Sequence, residues 1–155
     1  MIRVGLYEPR IPQNTGNIGR TCLAFNSKLD LICPLGFSLE DRYLKRAGLD
    51  YWKYLEPNIH EDFLAYKNSV GSSRIIGFSK KGGISLNDMD FQLDDCLLFG
   101  REDIGLPSII RDQCNIICSI QMPGIISTIN PNGVRSLNLS VACGIALYNA
   151  ITINK

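Results

Sequence analysis

The sequence has a single histidine among its 155 residues, His60, and no C-x-x-C pair among its six cysteines. A zinc site built from imidazole and thiolate therefore lacks its ligands, and no metal is expected. There is no G-x-S-x-G, which removes the strained serine turn of an α/β-hydrolase. Neither G-x-G-x-x-G nor G-x-x-x-x-G-K-[ST] occurs, so a Rossmann dinucleotide site and a P-loop both go unsupported. No apolar run reaches membrane-spanning length, and no signal or transit segment is apparent. The expected compartment is the cytoplasm, with no membrane partner. Excess charge of one sign is missing too: 16 Lys and Arg against 15 Asp and Glu leave +1, so any attraction for a polyanion must come from local arrangement.

What remains is the composition of a globular protein, 45% hydrophobic and 20% charged. One domain spanning 1–155 is expected, large enough to bury about 70% of its unfolded surface. A domain of that size needs no staples, so Cys22, Cys33, Cys96, Cys114, Cys118 and Cys143 read as buried thiols. Arg42, Lys45 and Arg46 cluster on one short segment, whereas Asp88, Asp90, Asp94 and Asp95 gather elsewhere.

Apolar runs predict strands at 2–7, 29–33, 74–78, 96–99 and 116–120. Pro9 and Pro12 place the stretch from Glu8 to Gln13 in a loop, with Asn14-Thr15 as the cap of a helix reaching about Asn26. Ser38 and Asp41 resemble a capping box ahead of a short helix ending near Gly48. Another helix is expected from His60 to Lys67, which puts His60 on the surface. A short one should follow Pro107, and one over 139–151 is apolar almost all round and so expected to be buried. Strands alternating with helices indicate an α/β fold with a mainly parallel sheet flanked by helices.

Three segments of unusual composition, Glu8 to Arg20, Gly100 to Pro107 and Met122 to Asn138, each follow a predicted strand directly. In a parallel sheet those positions share the carboxyl edge, where open α/β sheets bind their ligands, so one composite pocket is expected. Arg20 sits on an apolar helix and should need an anionic partner there, Glu8 or Glu102; the alternative is an arginine aimed at a phosphate or a developing oxyanion.

The motifs Glu8-Pro9-x-Ile11-Pro12-x-Asn14-Thr15-Gly16-Asn17-Ile18-x-Arg20, Phe99-Gly100-x-Glu102-x-x-Gly105-Leu106-Pro107 and Arg135-Ser136-Leu137-Asn138-Leu139-Ser140 together resemble the SPOUT class of RNA methyltransferases. Pro34-Leu35-Gly36-Phe37 and Arg46-Ala47-Gly48-Leu49-Asp50-Tyr51 are similar to its minimal-length branch, the TrmL-like tRNA 2'-O-methyltransferases. The resemblance implies a carboxyl half tied in a trefoil knot around S-adenosyl-L-methionine and a homodimer. It also implies a tRNA substrate, methylated on the ribose of the wobble cytidine or uridine of leucine tRNAs.

Carried over by position, Arg20 matches the catalytic arginine that binds RNA phosphate or ribose and favours the 2'-alkoxide. Ser136 and Asn138 match third-motif residues beside the cofactor and the attacking hydroxyl. Gly100 and Ile120 match backbone positions of the cofactor pocket, Met122 lies beside them, and Phe78 matches a strand end lining it. Glu102 is expected to brace Asn14, Asn17 or Arg20. Asn14, Arg42, Lys45, Arg46 and Lys80 are the candidate RNA contacts. A ribose hydroxyl is a weak nucleophile facing an already activated sulfonium methyl, so alignment and stabilisation of negative charge are the main requirements.

Two positions depart from the branch. Twelve residues separate Met122 from Arg135, where a few are usual, and Arg101 stands where proline is common. The alternatives are the same reaction on ribosomal RNA and a non-catalytic RNA-binding module of the same fold.

Overall fold

Runs such as Cys-Leu-Leu-Phe can stay dry on both faces only inside a sheet covered on both sides. The computed structural model, which describes residues 1–152 apart from the side chain of Leu49, builds such a sheet. Its strands are β1 (Arg3–Tyr7), β2 (Lys28–Ile32), β3 (Asn58–His60), β4 (Ile75–Phe78), β5 (Ile84–Ser85), β6 (Cys96–Phe99) and β7 (Ile116–Ser119), in the order β3-β2-β1-β6-β4-β7-β5. Every pairing is parallel. Residues 153–155 of the expected domain lie outside the described part.

All four residues of β4 and of β6 are buried, and their side chains alternate between two cores as the period of two requires. Leu97 and Phe99 join Val4, Leu6, Ile18 and Leu147 on one side; Cys96 and Leu98 join Phe63, Tyr66 and Ile110 on the other. The first side is covered by α1 (Pro12–Ala24) and α6 (Leu139–Thr152), the second by α4 (Phe63–Val70) and α5 (Ser108–Arg111). Two short helices, α2 (Arg42–Gly48) and α3 (Trp52–Leu55), with a 3-10 turn between them, lean on α1.

Several local expectations are corrected. Helix α1 begins two residues before Asn14, with Pro12 in its first turn, where a missing N–H costs nothing. Asn14 and Thr15 are buried inside the helix instead of capping it. Ser38 and Asp41 form no capping box: Ser38 Oγ accepts from Glu40 N at 3.1 Å, and Asp41 Oδ1 accepts from Tyr43 N at 2.8 Å, so α2 starts at Arg42. The stretch after Gly82-Gly83 contributes the edge strand β5.

The expected helix from His60 divides into β3 and an α4 capped by Asp62, which accepts from Ala65 N at 2.8 Å. His60 is buried, not on the surface. The reason is Asp30, a fully buried carboxylate of β2. Arg3 of β1 grips it through Nε at 2.9 Å and Nη2 at 2.5 Å, Asn58 Nδ2 donates at 3.2 Å, and His60 Nε2 lies 2.8 Å away. One buried charge thus pins three adjacent strands, as a carboxylate in a core must be pinned to remain there.

Helix α6 is not buried all round: Val141, Ile145 and Tyr148, at i, i+4 and i+7, are 49%, 41% and 58% exposed, so one apolar stripe faces outward. The six cysteines are free thiols. Burial pushes the Cys22 thiol up to about 12 and the Cys118 thiol up to about 11, which leaves little thiolate at neutral pH.

Glycine inside a helix costs about 1 kcal/mol relative to alanine, yet α1 carries two, one turn apart. A Cβ on Gly16 would lie 2.5 Å from Leu44 O and 2.7 Å from Ala47 Cβ; one on Gly19 would lie 2.6 Å from Leu55 and 2.8 Å from Trp52. Their absence lets α2 and α3 seat directly on α1. Gly16→Ala, stabilising in an isolated helix, is therefore expected to lower unfolding free energy by about 1–3 kcal/mol, read as a lower urea midpoint at unchanged slope.

Candidate active site

The register sets the carboxyl ends of the strands side by side. Leu6 pairs with Phe99 and Phe78 with Cys118, so the chain leaves β1, β4, β6 and β7 along one edge. Phe78 and Phe99 end their strands as a stacked pair, ring centroids 4.6 Å apart and planes 11° apart. Beyond them the loops enclose a cavity of about 960 Å³, within the range that holds a cofactor.

The turn after β6 closes on itself. Arg101 N donates to Gly105 O at 3.1 Å, and Gly105 N donates back to Arg101 O at 2.8 Å. Gly105 adopts φ +70°, and a Cβ on Gly100 would fall 2.0 Å from Gly105 C. Both glycines are thus required by the turn. Proline at 101 would lack the N–H that closes it. The Arg101 side chain grips Asp103 through Nε at 2.9 Å and Nη2 at 2.6 Å, and reaches toward Glu8 at 3.7 Å. The guanidinium holds the Asp103 carboxyl below the usual carboxylate range.

Glu102 accepts from the backbone N of Arg10 at 2.8 Å and of Ile11 at 3.0 Å, with Asn14 Nδ2 at 3.5 Å. It therefore braces Asn14, as expected, and more firmly the two residues leading into α1. Asn14 Oδ1 accepts from Asn138 Nδ2 at 3.0 Å. Asn138 Oδ1 in turn accepts from Ser140 N at 2.9 Å and Ser140 Oγ at 2.6 Å, capping α6. The chain Glu102, Asn14, Asn138 links all three segments that the sequence singles out.

Of the candidate cofactor residues, Phe78, Gly100, Ile120, Met122 and Ser136 all line this cavity, as do Asn138, Asn14 and Lys80. Arg20 does not. It is exposed, and its guanidinium lies 5.7 Å from the centroid of the Tyr51 ring. The expected ion pair to Glu8 or Glu102 is not formed: Glu8 faces Arg10 and Arg101, and Glu102 is spent on backbone. On a helix of 3.6 residues per turn, Asn14 and Arg20 point to different sides. Arg42, Lys45 and Arg46 also lie outside the cavity, on exposed α2; Lys45 pairs with Glu40 at 2.6 Å.

Sequence reasoning gave no site role to Phe99, Lys81 or Arg111, which line the cavity. Phe99 was findable, since it ends a strand immediately before a segment already singled out. Arg111 carried no such signal, because only the return of α5 beneath the turn brings it in. Its Nε is buried without a hydrogen-bond partner among the described residues.

The long stretch between Met122 and Arg135 stays out of the cavity. It closes on itself through Ile126 N to Val134 O at 2.8 Å, Val134 N to Gly124 O at 3.0 Å and Ser127 N to Asn130 O at 3.1 Å. Ile129 at its tip is 95% exposed.

The sheet, the cavity edge and the motifs agree with what the chain is similar to. The SpoU rRNA methylase family matches residues 1–148. A tRNA (cytidine(34)-2'-O)-methyltransferase of Methylovorus glucosotrophus is 42% identical over 150 residues, covering 97% of this chain and 94% of that protein. Its Escherichia coli counterpart is 37% identical over 150 residues, covering 97% and 92%. A solved structure concerned with 2-OH methylation of C/U34 on tRNA superposes with a TM-score of 0.88 at 43% identity, covering 97% of this chain and 93% of the other. On the strength of a family match spanning nearly every described element, together with relatives covered over more than nine-tenths of their length, the chain belongs to the SpoU rRNA methylase family.

Proposed function

We propose that this chain is an S-adenosylmethionine-dependent tRNA 2'-O-methyltransferase. It acts on the wobble cytidine or uridine of leucine tRNAs, in the cytoplasm and as a homodimer, with the carboxyl half knotted around the methyl donor. The observation that carries the reading is a cavity to which all three motif segments contribute. Ribosomal RNA is disfavoured as substrate because the relatives matched over nearly their whole length act on tRNA.

The cavity suits the cofactor on its own chemistry. The stacked and buried Phe78 and Phe99 rings make the inner wall of the cavity apolar, as the less polar parts of the cofactor require. The unpartnered Arg111 Nε is a buried donor awaiting an acceptor, since such a donor is costly to leave alone. When bound, S-adenosylmethionine supplies an activated methyl group. The residues of the chain then have only to fix geometry and favour the nucleophilic oxygen. Gly100, Ile120 and Met122 would hold the cofactor, Ser136 would lie beside it, and Asn138, bonded to Asn14 and to the start of α6, positions rather than reacts. Lys80, Arg42, Lys45 and Arg46 would meet phosphates.

Arg20 stands outside the cavity of its own chain, while α6 leaves an apolar stripe uncovered. A second copy covering that stripe resolves both facts if Arg20 serves the site of its partner. Among the described residues its guanidinium pairs with no carboxylate, which leaves it available to a ribose or phosphate oxygen.

The direct test is transfer of labelled methyl to leucine tRNA, with nucleoside mass spectrometry locating the product; a 2'-O-methyl nucleoside at the wobble position is expected, and its absence on every leucine tRNA sinks the reading. Arg20→Ala should lower transfer by about 10²- to 10³-fold, with affinity for S-adenosylhomocysteine, followed by calorimetry, changed less than about twofold. Ile145→Asp is expected to halve the mass seen by light scattering and to abolish transfer in a chain that still melts cooperatively. A fully active monomer would remove the shared site.

A further inference from the structure

Residues 42–54 read Arg-Tyr-Leu-Lys-Arg-Ala-Gly-Leu-Asp-Tyr-Trp-Lys-Tyr, four cations against one carboxylate, and hold three of the six tyrosines. None of the three is a core residue: Tyr43, Tyr51 and Tyr54 are 39%, 48% and 67% exposed. Each has a cation at its ring. Arg42 lies 4.8 Å from the centroid of Tyr43, Arg20 5.7 Å from Tyr51 and Lys53 4.9 Å from Tyr54. Trp52, by contrast, turns inward against Gly19. The segment therefore keeps one aromatic ring for packing and offers three to solvent.

We propose that Tyr43, Tyr51 and Tyr54 form a stacking platform for unpaired bases of the RNA substrate, with Arg42, Lys53 and Arg20 as the accompanying phosphate contacts. This rests on the reading of RNA as substrate. Alternating rings and cations are the means by which single strands are held without sequence readout, because every base has a face to stack and every link a phosphate to pair. A cation that covers a ring in the free protein is freed for a phosphate when a base takes its place. Paired bases hide their faces, so the surface selects loops over duplex. Its placement fits: α2 and α3 seat on α1 through Gly16 and Gly19, and the same helix carries Arg20, whose guanidinium lies at the Tyr51 ring. Bases flanking the reacting nucleotide would be held beside the arginine assigned to the reaction.

The experiment measures binding of the full-length protein to a labelled mixed-sequence RNA strand and to its own blunt duplex, by fluorescence anisotropy. The strand is expected to bind at least about tenfold tighter. Combined Tyr43→Ala, Tyr51→Ala and Tyr54→Ala should weaken strand binding by about tenfold or more and erase the preference. The corresponding triple phenylalanine variant should bind within about twofold of wild type. Stacking and charge separate by salt: the alanine triple keeps the slope of log affinity against log salt, whereas Arg42→Ala with Lys53→Ala makes it shallower. If the alanine triple melts like wild type and still prefers the strand, the platform is wrong even where tRNA is methylated. If no tRNA is methylated but the tyrosines still govern strand binding, the platform stands and the proposed reaction fails.

Discussion

A single carboxylate determines how the site is assembled. Glu102 sits on a turn that follows β6, yet its two oxygens are taken by the backbone N–H groups of Arg10 and Ile11, on the loop after β1. Those donors would otherwise lie free just ahead of a helix whose first turn, begun by proline, has no side-chain cap. Charge-assisted bonds to backbone are among the stronger ones a protein makes. Asn14, placed by that clamp, then holds Asn138, and Asn138 caps α6. Three loops far apart in sequence become one wall because each link satisfies groups the next element leaves open.

The sheet makes this economical. Since β1 and β6 are adjacent and in register, Glu102 and Arg10 begin close together, and the side-chain relay spans only the remaining gap. Glu8, at φ 46°, turns the chain off the strand in a conformation non-glycine residues seldom adopt, and such strain collects where surrounding contacts enforce it. On the far side of the sheet, the Asp30 cluster pins β1 to β2 and β3. The sheet is therefore tied by a buried carboxylate, Asp30, and its cavity edge by a half-buried one, Glu102.

Much of this was legible in the sequence where the signal was local. Strands such as 96–99 and 116–120 announce themselves by apolar runs, and the three odd segments announce the edge because each follows a strand. What was not legible depends on partners distant in the chain. His60 looks like a polar helix start until Asp30, thirty residues earlier, claims it. Arg20 looks too charged for its helix until the helix is seen to leave that side open and Tyr51 to receive it. Helix 139–152 looks uniformly apolar, and composition cannot say which stripe the rest of the chain fails to cover. Gly100 shows the converse: the turn itself forbids a side chain there, and the same glycine lines the cavity.

The departures from the minimal branch sort by the same logic. Arginine at 101 costs the turn nothing, because its N–H closes the loop on Gly105 and its side chain is neutralised by Asp103 and Glu8. Proline there could not donate that hydrogen bond, so in this chain the turn closes through an N–H that only a non-proline residue supplies. The longer stretch after Met122 is likewise absorbed: Gly124, Ile126 and Val134 tie its base, returning the chain to Arg135 with the wall of the cavity undisturbed. An insertion that pays its own hydrogen-bond debts can lengthen a loop without moving the residues on either side. This explains how a site assembled from loops tolerates changes in two of the three.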